Sequence, residues 1–339
     1  MYAYFHKTPL DQQYYQKHIS HRLPWQIVDA HCHFNLPEHV KNVTQESILN
    51  DWALESGLLM SYDDSLLYSR ALFPDRAVEC VMLPWPLRDA DTKANNRYIS
   101  SLITNEHPRG LYTVRPEYAV ETIEQEFQDG RFCGFKPYPY MASAVKGAEI
   151  SIFDFMPRQH LALANRLKAP VLLHLPRAGR LPDPDNVTEI RTILMDYPDV
   201  KLVIAHFGRC FHHEFFQKAL AEFGSDIHSL WFDTAAVLNP RVYQLAFDHL
   251  DYHKILFGTD APIMLWHGKR EWKNGSYYNL CREDFGWNLH PYPEQEAEYT
   301  FFIYEQLNSL LNAIGGSESV LEAVFGRNAQ AVYQPFGGC

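Results

Sequence analysis

Eight short apolar runs recur along the chain, at 27–31 (IVDAH), 79–83 (ECVML), 110–114 (GLYTV), 132–136 (FCGFK), 170–174 (PVLLH), 202–206 (LVIAH), 230–234 (LWFDT) and 255–259 (ILFGT). Each is rich in β-branched or aromatic residues and runs into a polar or proline-containing turn. Amphipathic segments with helical spacing lie between several of them, at 118–128, 155–167, 187–196 and 240–250. Continuous apolar strands must be buried on both faces, and helices between them supply the outer cover; the combination specifies a parallel α/β sheet. Eight such units predict a closed (β/α)8 TIM barrel. A doubly wound open sheet is the rival that strand counting alone leaves standing.

The 339 residues suit one elaborated barrel domain over 1–339, with residues 1–24 as an N-terminal extension. Two stretches exceed the minimal repeat. Residues 35–78 follow the first strand, and the Trp/Tyr/Pro-rich residues 261–293 follow the last. Both are expected at the C-terminal face of the barrel, over the site, where long insertions act as lids or walls. The net charge of −11, with no Lys/Arg-rich run, argues against nucleic acid or an anionic membrane as partner. The N-terminus lacks the apolar centre of a signal peptide, and no apolar stretch approaches a membrane span. Cys32, Cys80, Cys133, Cys210, Cys281 and Cys339 are scattered without a C-x-x-C pair and read as reduced thiols, so the expected setting is the cytoplasm. The abundant aromatics and long excursions are compatible with a homodimer.

What terminates the strands points to chemistry. His31 and His33 end the first, and period-two alternation puts them on one face. His174 ends the fifth, His206 the sixth, and Asp260 follows the eighth. In a barrel these ends converge on one rim. A histidine set with one carboxylate is a ligand set for a borderline divalent metal, zinc first, with a position left for water. Each ligating imidazole must be neutral, so an outer acceptor should hold its second N–H. Asp29, two residues before His31, is the candidate. Any one of these histidines alone reads more naturally as a packing or hydrogen-bonding residue; the ordered set of five carries the inference.

The motifs "DAHCH", "LLHLP", "IAHFG", "GTDAP" and the late "VFGRNAQAVY" (324–333) occur in the order seen in the amidohydrolase superfamily. The resemblance runs from about residue 27 to the C-terminus. It is strongest to the amidohydrolase-related branch, which includes decarboxylases similar to aminocarboxymuconate semialdehyde decarboxylase. The resemblance implies that His31, His33, His174 and Asp260 are metal ligands. It also implies that His206 is a catalytic imidazole beside the metal and that Asp260 doubles as the catalytic base. The loops at 35–78 and 261–293 have no placed family counterpart.

Lys136, ending the fourth strand in "GFKPYPY", has two readings. It is a lysine carbamate in a binuclear site, as in some amidohydrolases, or a cation holding a substrate carboxylate; the second is preferred here. Arg177 and Arg209, each three residues past a strand-end histidine, are candidate carboxylate clamps, with surface pairing the bland reading. Trp85, Tyr138, Tyr140, Trp266 and His267 follow predicted strands and are candidate walls for a flat ligand, loop packing being the plain alternative. Asp233, ending the seventh strand, is a weaker candidate for contacting substrate or orienting His206. The remaining histidines, such as His212 and His213, read as surface or loop residues.

These residues predict a metal-dependent hydrolase that turns activated water on a small, carboxylate-bearing substrate. The metal is one divalent ion, zinc before manganese, with a binuclear centre on carbamylated Lys136 third. Non-oxidative decarboxylation by the same constellation is the alternative, and a non-catalytic binding barrel the third reading. Phosphoester hydrolysis is disfavoured, because nuclease relatives carry a glutamate where Lys136 stands.

Overall fold

The computed structural model describes residue 2 and residues 5–49, 51–105, 107–142 and 149–335; Cys339 lies outside them. Its barrel strands are β1 (Gln26–His33), β2 (Ala77–Leu83), β3 (Leu111–Thr113), β4 (Gly134–Lys136), β5 (Val171–Leu173), β6 (Leu202–Ile204), β7 (Trp231–Asp233) and β8 (Ile255–Leu256). Strands β3 to β8 form one parallel sheet in sequence order, and β1 pairs in parallel with β2. Parallel bridges at Met82–Gly110 and Cys32–Ala261 join the two pieces at both seams. Ala30 N–H also donates to Phe257 O at 2.8 Å, and Asp260 N–H to His31 O at 2.9 Å. The sheet therefore closes on itself as a (β/α)8 barrel, and the open doubly wound alternative is excluded.

Period-two alternation sorts each strand between two clusters. Leu172, Val203 and Leu256 pack with Val28, Ala30, Val81 and Leu83 in a small cluster stoppered by Ala329, Val332 and Tyr333. Val171, Leu173, Leu202, Ile204 and Phe232 pack outward against the helices. Strand β1 changes phase along its length. Asp29 pairs with Cys80 but Cys32 with Met82, so one extra residue is accommodated between them. Such a bulge re-aims the side chains beyond it. Val28 and Ala30 belong to the inner cluster, while Cys32 joins Ile27 in the outer cluster.

Both insertions are folded. Residues 35–78 carry helices Gln45–Leu49, Trp52–Gly57 and Tyr62–Leu72. Asp51 caps the second through Ala53 N–H, and Ser61 and Asp64 form a capping box on the third. Residues 261–293 contain an antiparallel hairpin, β9 (Gly268–Lys273) and β10 (Ser276–Cys281). Its two-residue turn, Asn274-Gly275, has φ of 54° and 70°, which a type I′ turn requires and Asn-Gly supplies cheaply. Among the described residues no helix is long and apolar enough to cross a membrane.

A buried polar knot fixes the root of the hairpin to the N-terminal extension. His267 Nε2 lies 3.0 Å from Asp11 Oδ2, and its Nδ1 lies 2.7 Å from Glu283 Oε1. Asp11 also accepts Phe301 N–H at 2.9 Å. Burial opposes charge on His267, but its hydrogen bonds to Asp11 and Glu283 outweigh this and raise its pKa. A raised folded-state pKa adds stability that is fully present below about 6.5, the unfolded imidazole's value, and is lost as pH rises through the folded value. His267→Gln should therefore lower Tm most near pH 6, with the gap to the parent chain narrowing toward pH 9. A gap independent of pH in thermal melts would count against the charged knot.

Candidate metal centre

The inner face of the barrel ends in a cluster of imidazoles and one carboxylate. His31 Nε2 and His33 Nε2 lie 3.6 and 3.2 Å from Asp260 Oδ1. Ligand atoms of His31, His206 and Asp260 all lie within 4.8 Å of one another. The rings of His31 and His33 stand 5.0 Å apart, those of His31 and His206 4.9 Å, and those of His174 and His206 5.3 Å. The five residues named from strand ends thus meet at one place. The tight group, however, contains His206, and His174 stands just behind it with a buried Nδ1 that has no hydrogen-bond partner.

Outer acceptors fix three of the rings. His31 Nδ1 is 2.9 Å from Asp233 Oδ2, His33 Nδ1 is 3.2 Å from Pro84 O, and His206 Nδ1 is 2.9 Å from Ala235 O. With Nδ1–H donated outward, each Nε2 lone pair is left facing the centre. Burial, then the Lys136 charge, holds His31 far below its usual pKa; burial also lowers His33 and His174. Burial alone would keep Asp260 protonated, yet the facing imidazoles of His206, His33 and His31 hold its carboxyl well below the usual range. Imidazoles with Nδ1–H held outward around an ionised carboxylate, plus one orphaned buried ring nitrogen, are the donor set a divalent cation takes.

Asp29 does not perform the task expected of it. Its carboxylate accepts His31 N–H at 3.2 Å, Thr259 N–H at 2.9 Å and the Thr259 hydroxyl at 2.5 Å. The extra residue in β1 breaks the alternation on which that expectation rested, so the His31 ring is served by Asp233 from across the barrel. Asp233 also accepts His206 N–H at 2.7 Å through Oδ1. It orients His206 through the backbone and His31 through the ring.

His206 lies two residues past β6, at φ +57°, and Phe207, Gly208 and Arg209 follow at +46°, +69° and +62°. Four consecutive residues in the left-handed region are costly for side chains other than glycine. Asp233 restrains this turn by taking both His206 N–H and Ala235 N–H.

A cavity of about 160 Å³ opens over the cluster, walled by Trp85, Tyr138, Tyr140, Arg209 and Phe211 from barrel loops. Asp51 and Trp52 from the first insertion, and Arg270 and Tyr277 from the hairpin, complete it. Trp85 lies 4.7 Å from the His33 ring and Tyr138 4.5 Å from His174. Arg209, Tyr138, Tyr140 and Trp85 thus line this cavity.

Other candidates are elsewhere. Arg177 lies outside the cavity, its guanidinium taken up by Glu189 (2.8 and 3.0 Å) and Asn186 (2.6 Å). Trp266 is wholly buried and stacks on Phe302 at 3.9 Å, and His267 is held in the polar knot. Lys136 is wholly buried, with Nζ 3.2 Å from His31 Nε2, so it sits in the cluster's floor and not on the cavity wall. Burial lowers its pKa to about 8 against the attraction of Asp233 and Asp260. His39, His160 and His212, read as surface or loop residues, are buried. The sequence reading passed over Arg270, Trp52 and Tyr277; the Asn-Gly turn flanked by alternating residues was the signal for the hairpin that carries two of them.

The amidohydrolase family model matches residues 28–334. The chain belongs to the amidohydrolase family. This is a family of metal-dependent enzymes, and the His/Asp cluster lies where its strand ends meet. Similar solved structures include 2,6-dihydroxybenzoate decarboxylase from Rhizobium, at 14% identity and TM-score 0.56, covering 92% of this chain and 99% of that one. Another is 4-oxalomesaconate hydratase from Rhodopseudomonas palustris, at 15% identity and TM-score 0.55, covering 91% and 95%. A third is a putative 2-pyrone-4,6-dicarboxylic acid hydrolase from Pseudomonas putida, at 17% identity and TM-score 0.54, covering 92% and 98%. At these identities the likeness shows the barrel fold. A search of curated proteins finds no match.

The two buried aspartates divide the work, and their variants should differ. Asp233→Asn is expected to weaken zinc binding about 10- to 100-fold, the usual cost of losing an outer-shell partner, measured by competition with a chromogenic chelator. Asp29→Asn should lower Tm while leaving zinc affinity nearly unchanged. The reverse pattern would exchange their roles.

Proposed function

We propose that this chain is a metal-dependent hydrolase acting on a small, carboxylate-bearing substrate. The observation that carries the reading is the set of Nε2 atoms and one ionised carboxylate meeting at the barrel mouth, with outer acceptors holding three of the four rings. His31, His33, His174 and Asp260 would hold one divalent cation, zinc before manganese given imidazole and carboxylate donors without thiolate. When bound, that cation supplies Lewis acidity toward a carbonyl and toward water. Lys136 acts as a cation balancing Asp233 and Asp260; its closeness to His31 keeps a carbamate-bridged binuclear centre as the secondary form.

The chain's own groups then divide the proton work. Ionised Asp260 takes a proton from water, whose oxygen adds to the substrate's carbonyl carbon. His206, with Nδ1–H tied to Ala235 O, aims Nε2 at the centre; carrying there a proton taken up from solvent, it donates a hydrogen bond to the developing oxyanion and keeps that proton when the oxyanion collapses back to a carbonyl. The carbonyl carbon's bond to the leaving oxygen or nitrogen breaks, and Asp260 returns its proton to that atom. Trp85 and Tyr138 wall the substrate, and Arg209 holds its carboxylate.

Decarboxylation is the second reading, supported by the neighbour that cleaves 2,6-dihydroxybenzoate. There the carbon–carbon bond to the carboxylate breaks, carbon dioxide leaves, and His206 delivers the proton to the carbon. The two readings separate by assay: hydrolysis of lactones and amides against carbon dioxide release from aromatic carboxylic acids.

Asp260→Ala and His31→Ala should each lose bound metal in elemental analysis and lower kcat/KM by at least about 10³-fold. His206→Gln should retain stoichiometric metal and lose turnover by about 10²- to 10⁴-fold. Loss of metal in that variant would move His206 into the ligand set.

A further inference from the structure

Arg209 and Arg270 line the cavity and Arg180 lines the cleft beside it, and among the described residues none of the three has a carboxylate in an ion pair. Arg209 Nη1 donates to the carbonyls of Leu175 and Arg177, at 3.2 Å each. Arg180 Nη1 donates to Arg209 O at 3.1 Å. Arg270, only 4% exposed, donates Nε–H to Asn279 Oδ1 at 2.8 Å and Nη1–H to Ala236 O at 2.7 Å. Its Nη2 makes no hydrogen bond among the described residues. In a chain of net charge −11, interior guanidiniums without a counterion are the exception.

Their setting strengthens the point. Arg270 lies 4.5 Å from the Tyr277 ring and 5.2 Å from the Phe211 ring; Arg180 faces the same two rings at 5.9 and 5.7 Å. Aromatic faces soften the desolvation of a guanidinium but do not neutralise it. Burial lowers the Arg270 pKa only to about 10, so the charge persists at neutral pH. Of the nearby acids, Asp51 caps Ala53 N–H and accepts the Tyr140 hydroxyl, Glu271 pairs with Lys269, and Asp260 attracts Arg270 only from a distance, facing the imidazoles instead. Arg270 and Tyr277 line both the cavity over the cluster and a larger outer cleft of about 1120 Å³, whose wall also includes Arg180. The two spaces share these side chains, and the hairpin forms the partition.

We propose that Arg270 and Arg180 form a second carboxylate subsite at the junction of the two spaces, making the hairpin a specificity element that selects dicarboxylate substrates. The inference rests on the function proposed above and adds the substrate class. One carboxylate is held at Arg209 beside the cluster; the other bridges Arg270 and Arg180. A carboxylate presents two oxygens, which matches one open edge on each of two guanidiniums. Both arginines hold their own backbone contacts without it, so the subsite is preorganised and the arriving anion supplies the missing counter-charge.

The test is calorimetric titration of the full chain loaded with zinc, using isophthalate and benzoate as probes. The parent chain should bind isophthalate at least about tenfold more tightly than benzoate. Arg270→Met should bring that ratio near one while benzoate binding changes by less than about twofold. Arg180→Met, at a half-buried position that places less of the fold at risk, should reduce the ratio in the same direction. Arg270→Lys, which keeps charge but loses the fork, should give an intermediate ratio. A parent ratio near one, or an Arg270→Met variant that weakens both probes equally, overturns the subsite. Zinc content measured on the same samples separates the two levels: zinc bound without dicarboxylate preference sinks only the subsite, and failure to bind zinc sinks the hydrolase reading with it.

Discussion

The barrel closes where Asp29 grips the chain after β8. Its carboxylate takes the backbone and hydroxyl of Thr259 and the backbone of His31, so the last strand's exit and the first strand's bulge are held by one side chain. Everything at the centre inherits its position from that seam. Asp260 is the next residue after Thr259, and its N–H is tied back to His31 O. The carboxylate and the His31–His33 pair are separated by more than 220 residues of chain, yet only one junction fixes their spacing. Burial raises the Asp29 pKa to about 6 in spite of these bonds. A fold that needed only closure would have used an apolar contact.

Much of this architecture was readable before any coordinates, for physical reasons. Buried parallel strands have no solvent face, so they appear as unbroken apolar runs, and all eight fall where those runs are. The rim residues were readable because a barrel gathers strand ends regardless of sequence distance. What escaped was whatever depends on a partner from elsewhere. The β1 bulge leaves no local mark, yet it decides that His31 and His33 face inward and that Asp29 serves the backbone. Arg177 looked like a clamp by its offset from His174, but Glu189, on the helix Pro184–Asp196, claims it. Trp266 followed a strand and so looked like a wall; the packing of Phe302 beneath it made it core. Arg270 was hidden by its neighbours, a half-buried run of charged and aromatic residues in which only the alternation of a hairpin singles it out.

The turn after β6 shows how strain is placed. His206 to Arg209 occupy left-handed backbone, and at Gly208 a side chain would collide with Leu181, whose Cβ would stand 2.5 Å from a Cβ there. Asp260, on the opposite side of the centre, is also at positive φ, +65°. Such conformations persist only where the surroundings over-determine them. Here the surroundings are the same two aspartates, Asp233 beneath His206 and Asp29 beneath Asp260. The polar groups that set ring orientation therefore also hold the backbone in the forms that bring those rings to the centre, and neither task can be relaxed without the other.

Charge is arranged by depth. The floor carries Lys136 with Asp233 and Asp260, shielded from water, and burial, then the Lys136 charge, keeps the His31 ring above it neutral and free to ligate. The wall, one layer out, sets Arg209 and Arg270 against the single carboxylate of Asp51, and Arg180 adds a further cation in the adjoining cleft. The protein surface beyond is acidic on the whole. An anionic ligand approaching such a molecule meets net repulsion at long range and attraction only inside the mouth, where the Debye screening of about 8 Å no longer matters. That ordering disfavours polyanions too large to enter and rewards small acids that fit within the cavity. The insertions matter for the same reason: Trp52 and the hairpin narrow the mouth, and the narrower and drier it is, the more each guanidinium there contributes to discrimination.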